Sequence, residues 1–157
     1  MIRAMEARDK TTVLGLVRAT GFFTDAEVGV AEELIDVYLG QPDQRDYRVE
    51  VIENEARDVV GYMTWGPTPL TEGTYDIYWM AVAPSEQGKG RGKALVRWAE
   101  NEVRRRDGRL VLIETSSQPK YEATRRFYID LGYQEVARIP DFYRAGDDRV
   151  IYAKSFR

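Results

Sequence analysis

The sequence predicts an α+β (mixed α/β) fold: a mixed, mostly antiparallel sheet of about seven strands with about four helices packed on it. Three observations carry this. Apolar runs of strand length follow one another between residues 46 and 82, too closely spaced for intervening helices. Longer stretches with apolar residues at helical spacing flank that series on both sides. Between the segments stand turn-forming Gly, Pro and Asp residues.

The elements read in order. Ile2–Glu6 is a short first strand, and Asp9 caps a helix that carries Val13, Leu14 and Val17 and ends before Gly21. Thr24-Asp-Ala-Glu27 is a capping-box pattern. The helix after it sets Ala31, Leu34, Ile35 and Tyr38 on one face and stops at Gly40 and Pro42. Tyr47, Val49 and Val51 alternate with Arg48 and Glu50, as in a strand with one buried face. Glu55–Asp58 is a turn, and Val59–Trp65 a strand closing at Gly66-Pro67. Thr74–Val82 is apolar on both faces and therefore central, which makes Asp46–Val82 an antiparallel meander.

Past the glycines at 88–92, Leu95, Trp98, Ala99 and Val103 share a helix face. Arg104, Arg105 and Arg106 fall in the last turn, where cations suit the helix dipole, and Gly108 is the stop. Leu110–Glu114 is a short apolar strand. Tyr121–Leu131 is a helix with Thr124, Phe127, Tyr128 and Leu131 on one stripe, ended by Gly132. Tyr133–Ile139 and Arg149–Lys154 are the last strands, joined by a loop over Pro140–Asp148 that reads either as part of an acceptor site or as a surface β-hairpin with anchoring aromatics and Gly146 at its turn.

Composition excludes several functions. The chain has 157 residues, 43% hydrophobic and 31% charged, which fits one soluble domain over 1–157. No apolar run approaches a membrane span and the first ten residues lack a signal-peptide core, so the chain reads as cytoplasmic with no membrane partner. A net charge of −3 argues against nucleic acid as a partner. With no His and no Cys, imidazole bases, thiol nucleophiles and the usual zinc sites are excluded, and no metal is expected. Acid–base work falls to Asp, Glu, Tyr, Lys or water.

The most telling segment is a strand that runs through a proline into Gly88, Gly90 and Gly92 and then a helix. Bare N–H groups at such a helix start bind an anion, usually a phosphate. A Walker A loop fails, because position 87 is Gln and position 94 is Ala, leaving no hydroxyl for Mg²⁺. A dinucleotide fingerprint fails, because position 93 is Lys and the preceding strand belongs to a meander. Gln87-Gly-Lys-Gly90-Arg-Gly92, in contrast, satisfies Q-x-x-G-x-G.

That loop, following Val82-Ala-Pro84, resembles the acetyl-CoA pyrophosphate loop of the GNAT (GCN5-related N-acetyltransferase) family. Ala123-Thr-Arg-Arg-Phe-Tyr128-Ile-Asp-Leu-Gly-Tyr133 is similar to that family's helix near the acetyl group, and the element order is also the family's. The resemblance implies a sheet splayed between strands four and five, with the pantetheine arm of acetyl-CoA filling the gap against the backbone of Met80, Ala81 and Val82. It implies that the N–H groups from Gln87 to Lys93 hold the pyrophosphate. The side chains of Lys89, Arg91 and Lys93 either neutralise a phosphate or only raise the local potential. A homodimer is the family's frequent state.

An activated thioester needs no covalent help, so direct attack by a primary amine is expected. By resemblance Tyr128 is the acid for the leaving thiolate, though it also lies on an apolar helix stripe. Asp76, eleven residues before Gln87, is the base candidate, or else a polar residue at a strand end; Glu114 and Asp130 are weaker alternatives. The oxyanion donor is a backbone N–H near Ala81 or Val82. Many relatives have Asn seven residues before the tyrosine; here that position is Tyr121, with Thr115, Ser116 and Ser117 as substitute hydroxyls. Phe22, Phe142 and Tyr143 are candidate acceptor-binding residues, the last two beside aspartates that suit a cationic amine. The acceptor is a small molecule or amino acid, or a peptide or protein amine; a non-catalytic acyl-CoA sensor is the remaining alternative.

Overall fold

A computed structural model describes residues 1–156. The strands are β1 (Ile2–Ala4), β2 (Arg48–Glu53), β3 (Val59–Pro67), β4 (Thr74–Val82), β5 (Leu110–Ser116), β6 (Gln134–Arg144) and β7 (Asp147–Ser155). The helices are α1 (Lys10–Ala19), α2 (Asp25–Gly40), α3 (Arg91–Arg105) and α4 (Glu122–Asp130). All seven strands form one sheet, ordered β1-β2-β3-β4-β5-β7-β6. Only β4 and β5 are parallel, as their connection through α3 requires.

Both faces of the sheet are covered. Val13, Val17 and Ile35 of α1 and α2 pack on Val49, Val51 and Tyr62. Leu95 and Val96 of α3 and Tyr128 of α4 pack on Met63, Ile77, Ile113 and Val150. The double cover explains a departure in β2, where the expected exposed face is buried. Glu50 is only 1% exposed, and burial raises the pKa of its carboxyl.

Local signals held where they are self-contained. Thr24 Oγ1 accepts from the Glu27 N–H at 3.2 Å, and Glu27 Oε1 accepts from the Thr24 N–H at 3.0 Å. Asp9 does not cap α1. Its carboxylate takes the Arg3 guanidinium at 2.8 Å and the Glu6 N–H at 2.8 Å instead. At the end of α3 the left-handed residue is Asp107 (φ 57), while Gly108 is needed for space. A Cβ at Gly108 would stand 2.2 Å from the Val103 side chain.

Two features shape the middle of the sheet. Pairing of β4 with β5 runs only from Thr74↔Leu110 to Ile77↔Ile113, so Trp79–Val82 pairs with β3 alone and a notch opens between β4 and β5. A bulge sits at the fork: Trp65 pairs with Ile77 and Thr64 with Trp79, which leaves Tyr78 opposite no residue. The extra residue reverses the alternation of β4. Ile77 packs with the α3–α4 core, and so do Met80 and Val82, whereas Trp79 and Ala81 face α1 and α2.

The expected loop over Pro140–Asp148 is mostly strand. β6 continues to Arg144 and β7 begins at Asp147, so Ala145-Gly146 alone makes the turn, with Gly146 at φ 81. A break in register between Ile139 and Arg144 absorbs the proline and brings Phe142 and Tyr143 onto the hairpin.

Candidate active site

The notch is lined by backbone. Ala83 N–H bonds to Val60 C=O at 2.8 Å, so the antiparallel alternation turns the N–H and C=O of Met80 and Val82 away from β3, into the gap. Those of Ala81 turn toward β3, and its side chain is buried among α1 and α2. Ala81 therefore offers the notch nothing, and the expectation of a donor at Ala81 gives way to Val82. Gln87 reaches across the mouth, its Nε2 donating to Val82 C=O at 3.2 Å.

The glycine loop follows directly. Gly88 (φ 78) and Gly90 (φ 81) are left-handed, and Gly90 caps the start of α3. No protein atom lies within 4 Å of where their Cβ atoms would stand, so both glycines border open space. The first helical bond of α3 is Ala94 N–H to Gly90 C=O at 3.0 Å, which leaves the preceding N–H groups as an anion cradle. The Gln87 N–H is not part of that cradle, since it donates to Pro84 C=O at 3.4 Å. An open, N–H-lined loop beside an unpaired strand edge fits a diphosphate joined to an extended amide arm.

The loop cations divide. Arg91 is held by Glu86 at 3.1 Å and by Glu55, on the β2–β3 turn, at 2.9 Å; Lys89 also reaches Glu86, at 3.3 Å. Among the described residues Lys93 makes no ion pair and stays exposed. Arg91 thus moors the loop.

Gly92 connects this loop to α4. A Cβ there would meet Phe127 Cζ at 3.3 Å and Met80 Cε at 3.8 Å, so the notch strand, the loop helix and α4 touch at one point. Tyr128 follows Phe127. Its ring packs against Phe127, Tyr133 and Tyr152 with centroids 5.2, 6.1 and 6.4 Å away. It is 6% exposed, and burial pushes its phenol up to about 12.

Asp76 lies on the other face of the sheet, since its neighbour Ile77 belongs to the α3–α4 core. Thr68 Oγ1 donates to Asp76 Oδ2 at 2.5 Å. Burial, and then the nearby charge of Glu114, raise the Asp76 pKa against the opposing bond from Thr68. Glu114 itself is tied to Arg149, whose guanidinium lies 4.9 Å from the centre of the Phe142 ring. Asp130 is remote in role, paired with Arg126 at 3.4 Å on the surface of α4.

The three acceptor candidates surround this side. Phe22 stacks on Tyr121 with ring centroids 5.5 Å apart, and its carbonyl accepts from the Tyr121 hydroxyl at 3.1 Å. Burial and then Glu27 push the Tyr121 phenol up to about 12. Tyr143 is raised by burial first, then by Glu114, with Glu27 among its other charged neighbours. Ser116 and Ser117 are not free for a cofactor: they bond to Asp147 and to the Asp148 N–H. Thr68, Tyr78 and Arg149 complete the cluster; Tyr78 follows Asp76 on the same strand, whereas Thr68 and Arg149 had no sequence signal, because only the sheet register brings them to Asp76. No helix among the described residues is long and apolar enough to cross a membrane.

Comparison with known proteins agrees with this geometry. The model of the acetyltransferase (GNAT) domain matches residues 45–135. A Desulfovibrio desulfuricans protein assigned to the GNAT family is 43% identical, with a TM-score of 0.92 over 99% of this chain and 98% of that one. An aminoglycoside 6′-N-acetyltransferase complexed with coenzyme A is 20% identical, TM-score 0.75, over 99% and 96% of the two chains. The ribosomal-protein-S18-alanine N-acetyltransferase of Escherichia coli is 18% identical, TM-score 0.75, over 99% and 92%. The last two share the fold. No curated protein matches the sequence.

Proposed function

Because the chain belongs to the GNAT family of acetyltransferases, we propose that it moves an acetyl group from acetyl-CoA directly to a primary amine, with no covalent enzyme intermediate. The observation that carries this reading is the notch beside Met80 and Val82, which opens onto the cradle at 88–93. Acetyl-CoA supplies a thioester already activated for attack. The N–H groups of the cradle and Lys93 bind its phosphates, and Met80 and Val82 pair with its amide arm as a neighbouring strand would. A backbone N–H of β4 that faces the notch would stabilise the negative charge that develops on the acetyl oxygen. Asp76 receives the proton of the amine.

Tyr128 has a limited task. A thiolate has a pKa near 8.5, and a phenol held at about 12 does not surrender its proton to it fully. Tyr128 therefore stabilises the leaving sulfur mainly through a hydrogen bond. Tyr128→Phe is expected to lower kcat by roughly tenfold, about one hydrogen bond's worth. Coenzyme A binding should be unchanged by titration calorimetry. A kcat equal to the wild type's would remove Tyr128 from the reaction.

The acceptor side favours a cation: Asp76, Glu114 and Glu27 surround Tyr78, Tyr121 and Tyr143, and Arg149 is neutralised by Glu114. The test is a panel of small amines, amino acids and peptides with acetyl-CoA, followed by release of free thiol. Turnover of a cationic amine supports the proposal. Coenzyme A binding without thiol release on any amine would overturn it in favour of a sensing role.

A further inference from the structure

We infer that Tyr121 is a positioning residue: with Lys120 it fastens the connector between α1 and α2 across the notch, on the face of Asp76, so that the thioester meets the amine rather than water. The inference rests on the acetyltransferase reading.

Two adjacent residues of the connector reach the two arms of the fork. Phe23 packs on Trp79, in the part of β4 that pairs with β3 alone, with ring centroids 5.4 Å apart. Phe22 packs on Tyr121, in the segment that leaves β5, with centroids 5.5 Å apart. A segment tied to both arms spans the gap between them. It does so on the face of Asp76, because Trp79 belongs to the core under α1 and α2.

The connector is short and fixed at both ends. Gly21 (φ 72) turns the chain out of α1, and its N–H donates to Arg18 C=O at 3.2 Å. Thr24 caps α2. Between them the far arm supplies the polar hold. The Phe22 carbonyl accepts from the Tyr121 hydroxyl at 3.1 Å and from the Lys120 ammonium at 3.1 Å, which uses both of its lone pairs. The Lys120 ammonium also lies 5.2 Å from the centre of the Tyr121 ring. Phe23 packs against the core but Phe22 does not, so the contact with Lys120 and Tyr121 is a latch that can be released without unfolding the core.

The latch matters because water competes with the amine. Attack by water forms a C–O bond and breaks the C–S bond, and a proton from the water ends on sulfur. The products are acetate and free coenzyme A, with no acceptor used. A strap held across the notch keeps bulk water from the acetyl carbon and orders one wall of the acceptor's approach.

The test compares Tyr121→Phe, which keeps the ring but loses the hydroxyl, with Tyr121→Ala. Chymotrypsin cleavage after Phe22 and Phe23 in the free protein is expected to quicken about fivefold in Tyr121→Phe, one hydrogen bond's worth, and further in Tyr121→Ala. The ratio of acetyl-CoA hydrolysis to amine acetylation and the acceptor KM should rise in the same order, with the coenzyme A Kd unchanged. Cleavage as slow as the wild type's in Tyr121→Ala, or quicker cleavage with an unchanged hydrolysis ratio, would overturn the latch. A weaker coenzyme A Kd in Tyr121→Phe would also overturn it, by making the phenol a cofactor ligand. Each of these results leaves the transferase reading intact. A wild-type protein that acetylates no amine would overturn both.

Discussion

Gly90→Val is expected to weaken coenzyme A binding by about 100-fold, measured by titration calorimetry, while the protein stays folded. Gly90 holds φ 81 at the start of α3, a conformation that costs an ordinary residue about 1–2 kcal/mol and a β-branched one more. That strain is one part of the effect. The other follows from the emptiness around the residue. No atom beyond its own chain neighbours lies within 4 Å of the position a Cβ would take, so a Cβ there meets no other part of the free protein. The valine methyls instead enter the open space beside the loop. Losing two charge-assisted hydrogen bonds, at about 1.5 kcal/mol each, corresponds to about 100-fold in Kd. Gly92→Val would act differently, since its Cβ meets Phe127 at 3.3 Å and disturbs α4 directly. An unchanged Kd in a folded Gly90→Val protein would show that the cradle does not hold the diphosphate.

The glycine loop between β4 and α3 was legible because its information is local. Three glycines between a strand and a helix start have few other physical uses, and their spacing needs no knowledge of the rest of the chain. Thr74–Val82 was legible for the same reason, its apolar run matching β4 residue for residue. What the sequence withheld is long-range. The bulge at Tyr78 arises from the register of β3 against β4, and no property of Tyr78 announces it. Because of that bulge, Met80 and Val82 join the α3–α4 core, which simple alternation from Ile77 would deny them. The Arg3 guanidinium drew Asp9 away from capping α1, a choice set by β1 lying beside it. The β6–β7 hairpin turning at Gly146 was one reading of Pro140–Asp148, but its strands were drawn too short because Pro140 and the aspartates look like breakers, yet the edge position of β6 tolerates them.

Asp76→Asn carries the largest expected effect on turnover, a loss of about 300-fold in kcat/KM, within the range of general-base deletions. Asn keeps an acceptor for the Thr68 hydroxyl but cannot take a proton. In the wild type, kcat/KM should rise with pH through the Asp76 titration, because the base must be ionised. Burial, then Glu114, raise that pKa, so the rise should lie above the ordinary aspartate value of about 3.9. Asp76→Asn should lose this limb. The same shift makes a stability prediction of definite sign. With its pKa raised on folding, Asp76 binds its proton more tightly in the folded state. Its contribution to stability is then fully present below the unfolded value and is lost as pH rises through the folded value. At neutral pH the wild type therefore bears the unfavourable burial of a carboxylate, which Asn lacks. Thermal unfolding at about pH 8 should give Asp76→Asn a Tm equal to or above the wild type's, an advantage that shrinks near the ordinary aspartate value. A marked fall in Tm at neutral pH would instead make Asp76 a structural anchor. Loss of turnover joined to retained or increased stability is what a carboxylate buried for catalysis predicts.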